Sequence, residues 1–190
     1  MGKAGNVHLE AFPGFFLSFL GPRFLRELYR AFALEDSGIA LAAEDPSSGE
    51  LLGVVAGTLD PQGFFRRLLL RRWWAFGFWS LPALAKEPKA LVRVLRALSY
   101  RGDCPQDKKR ALLSSIAVAP EKQGTGLGSV LLKEWVDRAR ERAVLGCYLT
   151  TDAVGNDAVN RFYLRNGWRV ASEFLTPESR KMRCYVLDWE

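Results

Sequence analysis

Three glycines stand at alternate positions in Gln123-Gly124-Thr125-Gly126-Leu127-Gly128, directly ahead of Ser129 and an apolar pattern of helical spacing. Residues with little side chain let backbone N–H groups approach a ligand closely, and a helix N-terminus adds the positive end of its dipole. The chemistry indicated is the holding of phosphate. A nucleoside-triphosphate loop needs a Lys and then Ser or Thr after its last glycine, so that an ammonium reaches the terminal phosphates. No Lys follows here. The dinucleotide fingerprint is matched only in part, because the spacing is GxGxG and the loop lies past the middle of the chain. A third carrier of phosphate is needed, and other residues must say which.

Those residues are positioned by a mixed order of elements. Phe24, Leu25, Leu28 and Phe32 recur at helical spacing, so 22–34 reads as a helix with Pro22 in its first turn. Residues 1–6 read as flexible, with a Phe-rich helix or loop behind them. The runs 38–45 and 51–60, separated by a Pro-Ser-Ser-Gly turn, read as an antiparallel hairpin. From 61 to 107 the pattern is helical, with breaks at Gly77, Pro82 and Pro88. Residues 111–118 form a strand. Leu127, Val130, Leu131, Trp135 and Ala139 mark one face of a helix that runs to about 143. A strand at 147–153, a helix at 156–166 ended by Gly167, and two closing strands complete an α/β domain of mixed type.

Composition narrows the class. The chain has 190 residues, of which 48% are hydrophobic and 25% charged, as one soluble domain spanning 1–190 would have. Cys104, Cys147 and Cys184 show no paired spacing, so neither a disulfide framework nor a metal site is expected, and a reducing cytoplasmic setting follows. The net charge of +6 is uneven: residues 61–110 hold 12 Lys or Arg against 3 Asp or Glu, and the rest holds 15 against 18. The excess belongs to one segment and points to an anionic partner for it.

A second block settles the phosphate carrier. Asn156, Tyr163, Gly167 and Trp168 fit the spacing N-x-x-A-x-x-x-Y-x-x-x-G-[Phe/Trp], with Val159 where alanine is usual. With the glycine loop upstream, which satisfies [Arg/Gln]-x-x-Gly-x-[Gly/Ala], the chain resembles the GCN5-related N-acetyltransferases (GNAT). The resemblance is strongest over 111–169, extends to the 38–60 hairpin, and is poor over 61–107. It implies a central, mostly antiparallel sheet with flanking helices and a helical insertion at about 61–110. Members usually begin with a strand before the first helix; no candidate precedes His8.

The resemblance also implies roles. Acetyl-CoA is the donor, and Gln123, Gly124, Thr125, Gly126, Leu127, Gly128 and Ser129 cradle its pyrophosphate. Backbone groups of Ile116 and Val118 bond the pantetheine arm, and the amide of Ala117 or Val118 supports the oxyanion. Asn156 bonds the pantetheine or caps its helix. Tyr163 gives its phenolic proton to the departing thiolate after direct attack by an amine. For the base, His8 is the only histidine and titrates in the right range; Glu10, Asp60 and Asp152 are weaker candidates. Asn160 faces the same cleft or solvent.

The segment 64–84 interleaves Arg66, Arg67, Arg71 and Arg72 with Phe, Leu and Trp. It reads as an amphipathic helix at the inner membrane surface, as a cap gripping a phosphate-bearing substrate, or as an insertion that only packs. A Phe-Pro-rich start and a basic aromatic insertion resemble members accompanying bacterial surface-polysaccharide synthesis, which implies an amino-sugar acceptor, nucleotide-linked or lipid-linked. An amino acid, polyamine, antibiotic or protein amine stays open as acceptor, as do a homodimer and a non-catalytic coenzyme-A-binding module. No nucleic-acid partner is expected, since charge alone would support one.

Overall fold

The computed structural model describes residues 2–12, 21–68, 70–71, 104 and 109–189. Helices α1 (Gly2–Ala11) and α2 (Pro22–Leu34) are followed by strands β1 (Gly38–Glu44) and β2 (Leu51–Thr58). Residues 61–68 and 70–71 are helical. Strand β3 (Arg110–Val118), a 3-10 turn (Pro120–Lys122), helix α3 (Leu127–Arg140) and strand β4 (Gly146–Asp152) come next. Helix α4 (Asp157–Arg165) and strands β5 (Arg169–Leu175) and β6 (Lys181–Asp188) close the order. One sheet of six strands runs β1-β2-β3-β4-β6-β5, antiparallel throughout except between β3 and β4. The mostly antiparallel sheet with flanking helices expected from the sequence is present.

Strand β2 is nearly continuous in apolar and small residues because both its faces are covered. Val54 and Ala56 meet α1, α2 and the helical residues 61–68, where Phe32 and Phe64 stack with ring centroids 4.5 Å apart. Val55 faces the other way, into a cluster built around Trp135 of α3, Tyr163 of α4 and Tyr185 of β6. Gly57 is required by this second layer: a Cβ there would strike the Leu112 carbonyl and the Trp135 ring. The Trp135 indole donates to the Ile39 carbonyl at 3.3 Å, so the helix is both packed and pinned.

Two expectations need correction. Residues 2–6 belong to helix α1, whose Ala4 and Val7 are buried against α2 and β2; burial on a tertiary surface overrides a weakly helical composition. Cys104 and Cys184 form a disulfide across a sequence separation of 80, which local spacing could not reveal, and Cys147 is free and buried. The argument for a reducing compartment from unpaired cysteines therefore falls away. In the described part of the basic segment, three arginines are paired with carboxylates of other elements. Arg67 pairs with Glu35 and Asp60, Arg71 with Glu35, and Arg110 with Asp188. Phe64 and Leu68 are core residues, so the first turns of the insertion pack on the sheet. The expected helix breaks, and residues 72–84 of the segment expected at a membrane surface, lie outside the described residues.

Candidate active site

The site begins with two strands that part. Parallel strands β3 and β4 are paired only at Arg110↔Gly146, Ala111↔Cys147 and Leu112↔Tyr148. At that closed end the buried Arg110 guanidinium grips Asp188 of β6 through two bonds, at 2.6 and 3.0 Å. Beyond Leu112, β3 continues to Val118 and β4 to Asp152 with no pairing between them. The register of β3 against β2 also slips, so that Ala56 faces Ser115 while Gly57 faces Leu113. Ser114 is the extra residue of this bulge, and bulges bend a strand and increase its twist. The result is an open strand edge inside the sheet.

Which backbone groups face that edge follows from alternation. The Ala119 N–H donates to the Leu52 carbonyl at 2.9 Å, which places Ala119, Ala117 and Ser115 in the ladder toward β2. The N–H and C=O groups of Ile116 and Val118 therefore point to the open edge. Of the two amides named from sequence as oxyanion donors, that of Val118 has the required direction, and that of Ala117 belongs to the β2 ladder.

At the mouth of the opening lies the glycine loop. Gly124 and Gly126 have φ of 77° and 91°, a left-handed region in which a side chain is strained. Gly126 caps α3 without any side-chain bond, and the amides of residues 124–128 make no hydrogen bond among the described residues. Successive free N–H groups at a helix N-terminus are an anion-binding concavity. Side-chain bonds fix the loop: Gln123 donates to the Val118 carbonyl at 3.2 Å, and Thr125 to the Lys122 carbonyl at 2.7 Å. Gly128 lies beside Phe162 of α4, close enough that a Cβ would be in contact with its ring.

Helix α4 brings Tyr163 to the same layer. Its ring packs against Phe162, Trp168 and Tyr185, with centroids 5.2, 5.9 and 5.6 Å away. Burial, and secondarily Tyr185, push its phenol well above the usual tyrosine range, so the proton is held at neutral pH. The hydroxyl makes no hydrogen bond among the described residues. Asn160 is buried rather than solvent-facing: it accepts from Tyr185 at 2.9 Å and donates to the Asp152 carbonyl at 3.1 Å. Asn156 stands at the N-cap position but makes no capping bond; it donates to Thr151 Oγ1 at 2.8 Å instead. Both asparagines thus fix the end of β4 where it has left β3.

The expected bases are not brought to the opening as free groups. His8 is buried, its Nδ1 is 3.0 Å from Tyr29 Oη, and burial lowers its pKa to about 4. Glu10 lies on the exposed side of α1. Asp60 is desolvated, yet the Gly63 amide and Arg67 hold its carboxyl below the usual range. Asp152 is paired with Arg180 at 2.7 Å. Sequence reasoning missed Tyr29 and Ser115, which are bonded to each other at 2.9 Å beside His8. The one available signal was a pair of serines, Ser114 and Ser115, in an otherwise apolar strand.

The opening between β3 and β4, the free amides at the start of α3 and the buried Tyr163 thus lie in one region of the fold. The acetyltransferase (GNAT) family model matches residues 8–168, and the chain belongs to that family. No curated protein matches the sequence. Among solved structures, a GNAT-family protein from Desulfovibrio desulfuricans is 17% identical, with a TM-score of 0.58 over 98% of this chain and 90% of that one. The NatC complex bound to Gag peptide and CoA gives 13% and 0.58 over 100% and 91%. The ribosomal-protein-alanine N-acetyltransferase of Brucella melitensis gives 16% and 0.55 over 87% and 77%. The chain spans 64% of the length of nourseothricin acetyltransferase, which it also resembles. These identities establish the fold. Among the described residues, no helix is long and apolar enough to cross a membrane.

Proposed function

We propose that this chain transfers the acetyl group of acetyl-CoA to the primary amine of an amino sugar by direct attack. The observation that carries the donor assignment is the loss of pairing between β3 and β4 beyond Leu112, next to the free amides of residues 124–128. An extended, amide-bearing arm ending in a pyrophosphate suits such an opening: its amides replace the missing strand, and its phosphates meet the loop. Acetyl-CoA supplies the activated thioester. The residues of the chain then have distinct tasks. Ile116 and Val118 offer backbone groups to the arm, and the Val118 amide is the donor for the carbonyl oxygen as it gains charge. Tyr163 gives its phenolic proton to the departing thiolate.

The acceptor assignment rests on the sequence of the start and insertion. Solved structures of similar fold act on different amines, among them spermidine in a Vibrio cholerae enzyme and alanine of a ribosomal protein in the Brucella one. Of the arginines that a membrane-surface role for 64–84 would use, Arg67 is instead paired with Glu35 and Asp60. A thiol-release screen over free and nucleotide-linked amino sugars, amino acids, polyamines and peptides tests the acceptor. Fastest release with an amino sugar is expected; a polyamine or peptide at least tenfold faster would refute that choice while leaving the donor assignment standing.

A further inference from the structure

Behind β3 lies a hydrogen-bonded chain that the donor site does not use. Tyr29 Oη is 3.0 Å from His8 Nδ1 and 2.9 Å from Ser115 Oγ, and Nδ1 is 3.4 Å from Ser115 Oγ. Building on the acetyltransferase reading above, we propose that Ser115 Oγ is the group that receives the acceptor's nitrogen, held in orientation by Tyr29 and His8.

Position is the first argument. Strand β3 has two side-chain faces. Ile116 and Val118 pack toward α3 and α4, the side of the glycine loop and Tyr163. Ala117 packs toward α1 and α2, and Ser115, two residues earlier, bonds Tyr29 of α2 on that same side. Ser115 follows the bulge directly and lies on the stretch of β3 that has no β4 partner. A donor threaded through the open edge from the α3 and α4 side leaves the α1 and α2 side for the nucleophile. Ser115 is a partly exposed hydroxyl at that point, on the side of α1 and α2.

The second argument is the cost of the chain. His8 is 2% exposed, Tyr29 is 4% exposed, and His8 Nε2 has no hydrogen-bond partner among the described residues. Packing alone would be better served by apolar side chains, since a buried polar group lacking a bond destabilises the fold. The arrangement does achieve a fixed direction. Burial keeps the imidazole neutral, and it raises Tyr29 to about 12, so the phenol keeps its proton. With Nδ1 as acceptor, Tyr29 donates to His8 and Ser115 donates to Tyr29. The remaining lone pairs of Ser115 then face an incoming N–H. His8 is a positioning residue in this arrangement, and the amine loses its proton to water.

The test is steady-state thiol release with glucosamine, spermidine and a short peptide bearing a free N-terminus, alongside calorimetric binding of acetyl-CoA to the same samples. Ser115→Ala should raise the acceptor KM about tenfold, the effect of one lost hydrogen bond, with acetyl-CoA affinity unchanged. Tyr29→Phe should act in the same direction. His8→Asn, which keeps an acceptor near Nδ1, should recover most of what His8→Phe loses. An unchanged acceptor KM in Ser115→Ala overturns the assignment, and equal losses in His8→Asn and His8→Phe overturn the positioning role. Failure of the wild-type chain to bind acetyl-CoA overturns the underlying reading instead. Because His8 is the only histidine, 15N spectra of the wild-type protein give an independent check that needs no variant to fold. A neutral ring from pH 5.5 to 8 is expected, and an imidazolium at pH 6 contradicts the chain.

Discussion

Tyr163 and His8 are the two side chains that the sequence offers as acid and base, and their surroundings separate them. Tyr163 is buried among Phe162, Trp168 and Tyr185 and carries its proton at neutral pH, as a donor to a thiolate must, while the same burial makes its phenol a weaker acid that the negative thiolate has to draw on. Tyr163→Phe should lower kcat by about 10²-fold or more while leaving acetyl-CoA binding within about threefold; single-turnover thiol release measures the first and calorimetry the second. Undiminished turnover would remove Tyr163 as the acid. His8 has the opposite response to burial, a pKa lowered from 6.5 to about 4. Between those values the unfolded chain binds a proton that the folded chain does not, so stability is fully present above pH 6.5 and is lost as the pH falls toward 4. The loss attributable to His8 should reach about 3 kcal/mol at pH 4. Urea unfolding of wild type and His8→Asn across pH 4–7 should show the wild type falling more steeply; parallel curves would mean that His8 is not buried neutral.

At the scale of elements, the function rests on a strand pair that fails to stay paired and on a helix whose N-terminus is left open. Gly126→Val places a β-branched residue at a φ of 91° and disturbs the amides of the loop. It should weaken acetyl-CoA binding by at least tenfold with a loss of stability of roughly 1–3 kcal/mol; unaltered affinity would show that the loop is not the cradle. Both motifs of this site were legible in the sequence, as were the strands and helices around them, because turn chemistry and periodicity act locally. The bulge at Ser114 was not legible, since it is a matter of register between β2 and β3. For the same reason the Tyr29 to Ser115 contact, across 86 residues, left no local trace. Nor did the helix at 2–11, whose order comes from Ala4 and Val7 packing on other elements.

For the molecule as a whole, charge and covalent structure both differ from what composition suggested. Arg110 is buried against Asp188 and Arg67 is half-buried between Glu35 and Asp60, so these two arginines of the basic segment are engaged within the chain, while Arg71 stays largely exposed beside Glu35. The disulfide between Cys104 and Cys184 ties residue 104 to the buried middle of strand β6. Closing a loop of that length restricts the unfolded chain, and Cys104→Ala or full reduction should cost about 2–4 kcal/mol. Thermal unfolding with and without reductant reads this directly; equal midpoints would mean that the two thiols are not joined in solution.

The central claim is that the opening between β3 and β4 and the amides of residues 124–128 hold the donor coenzyme. Calorimetric titration of the wild-type chain with acetyl-CoA, NAD and ATP tests it most directly. Saturable binding of acetyl-CoA at micromolar or tighter affinity, with no detectable heat from NAD or ATP, is the predicted result. Binding of NAD or ATP in place of acetyl-CoA would contradict it.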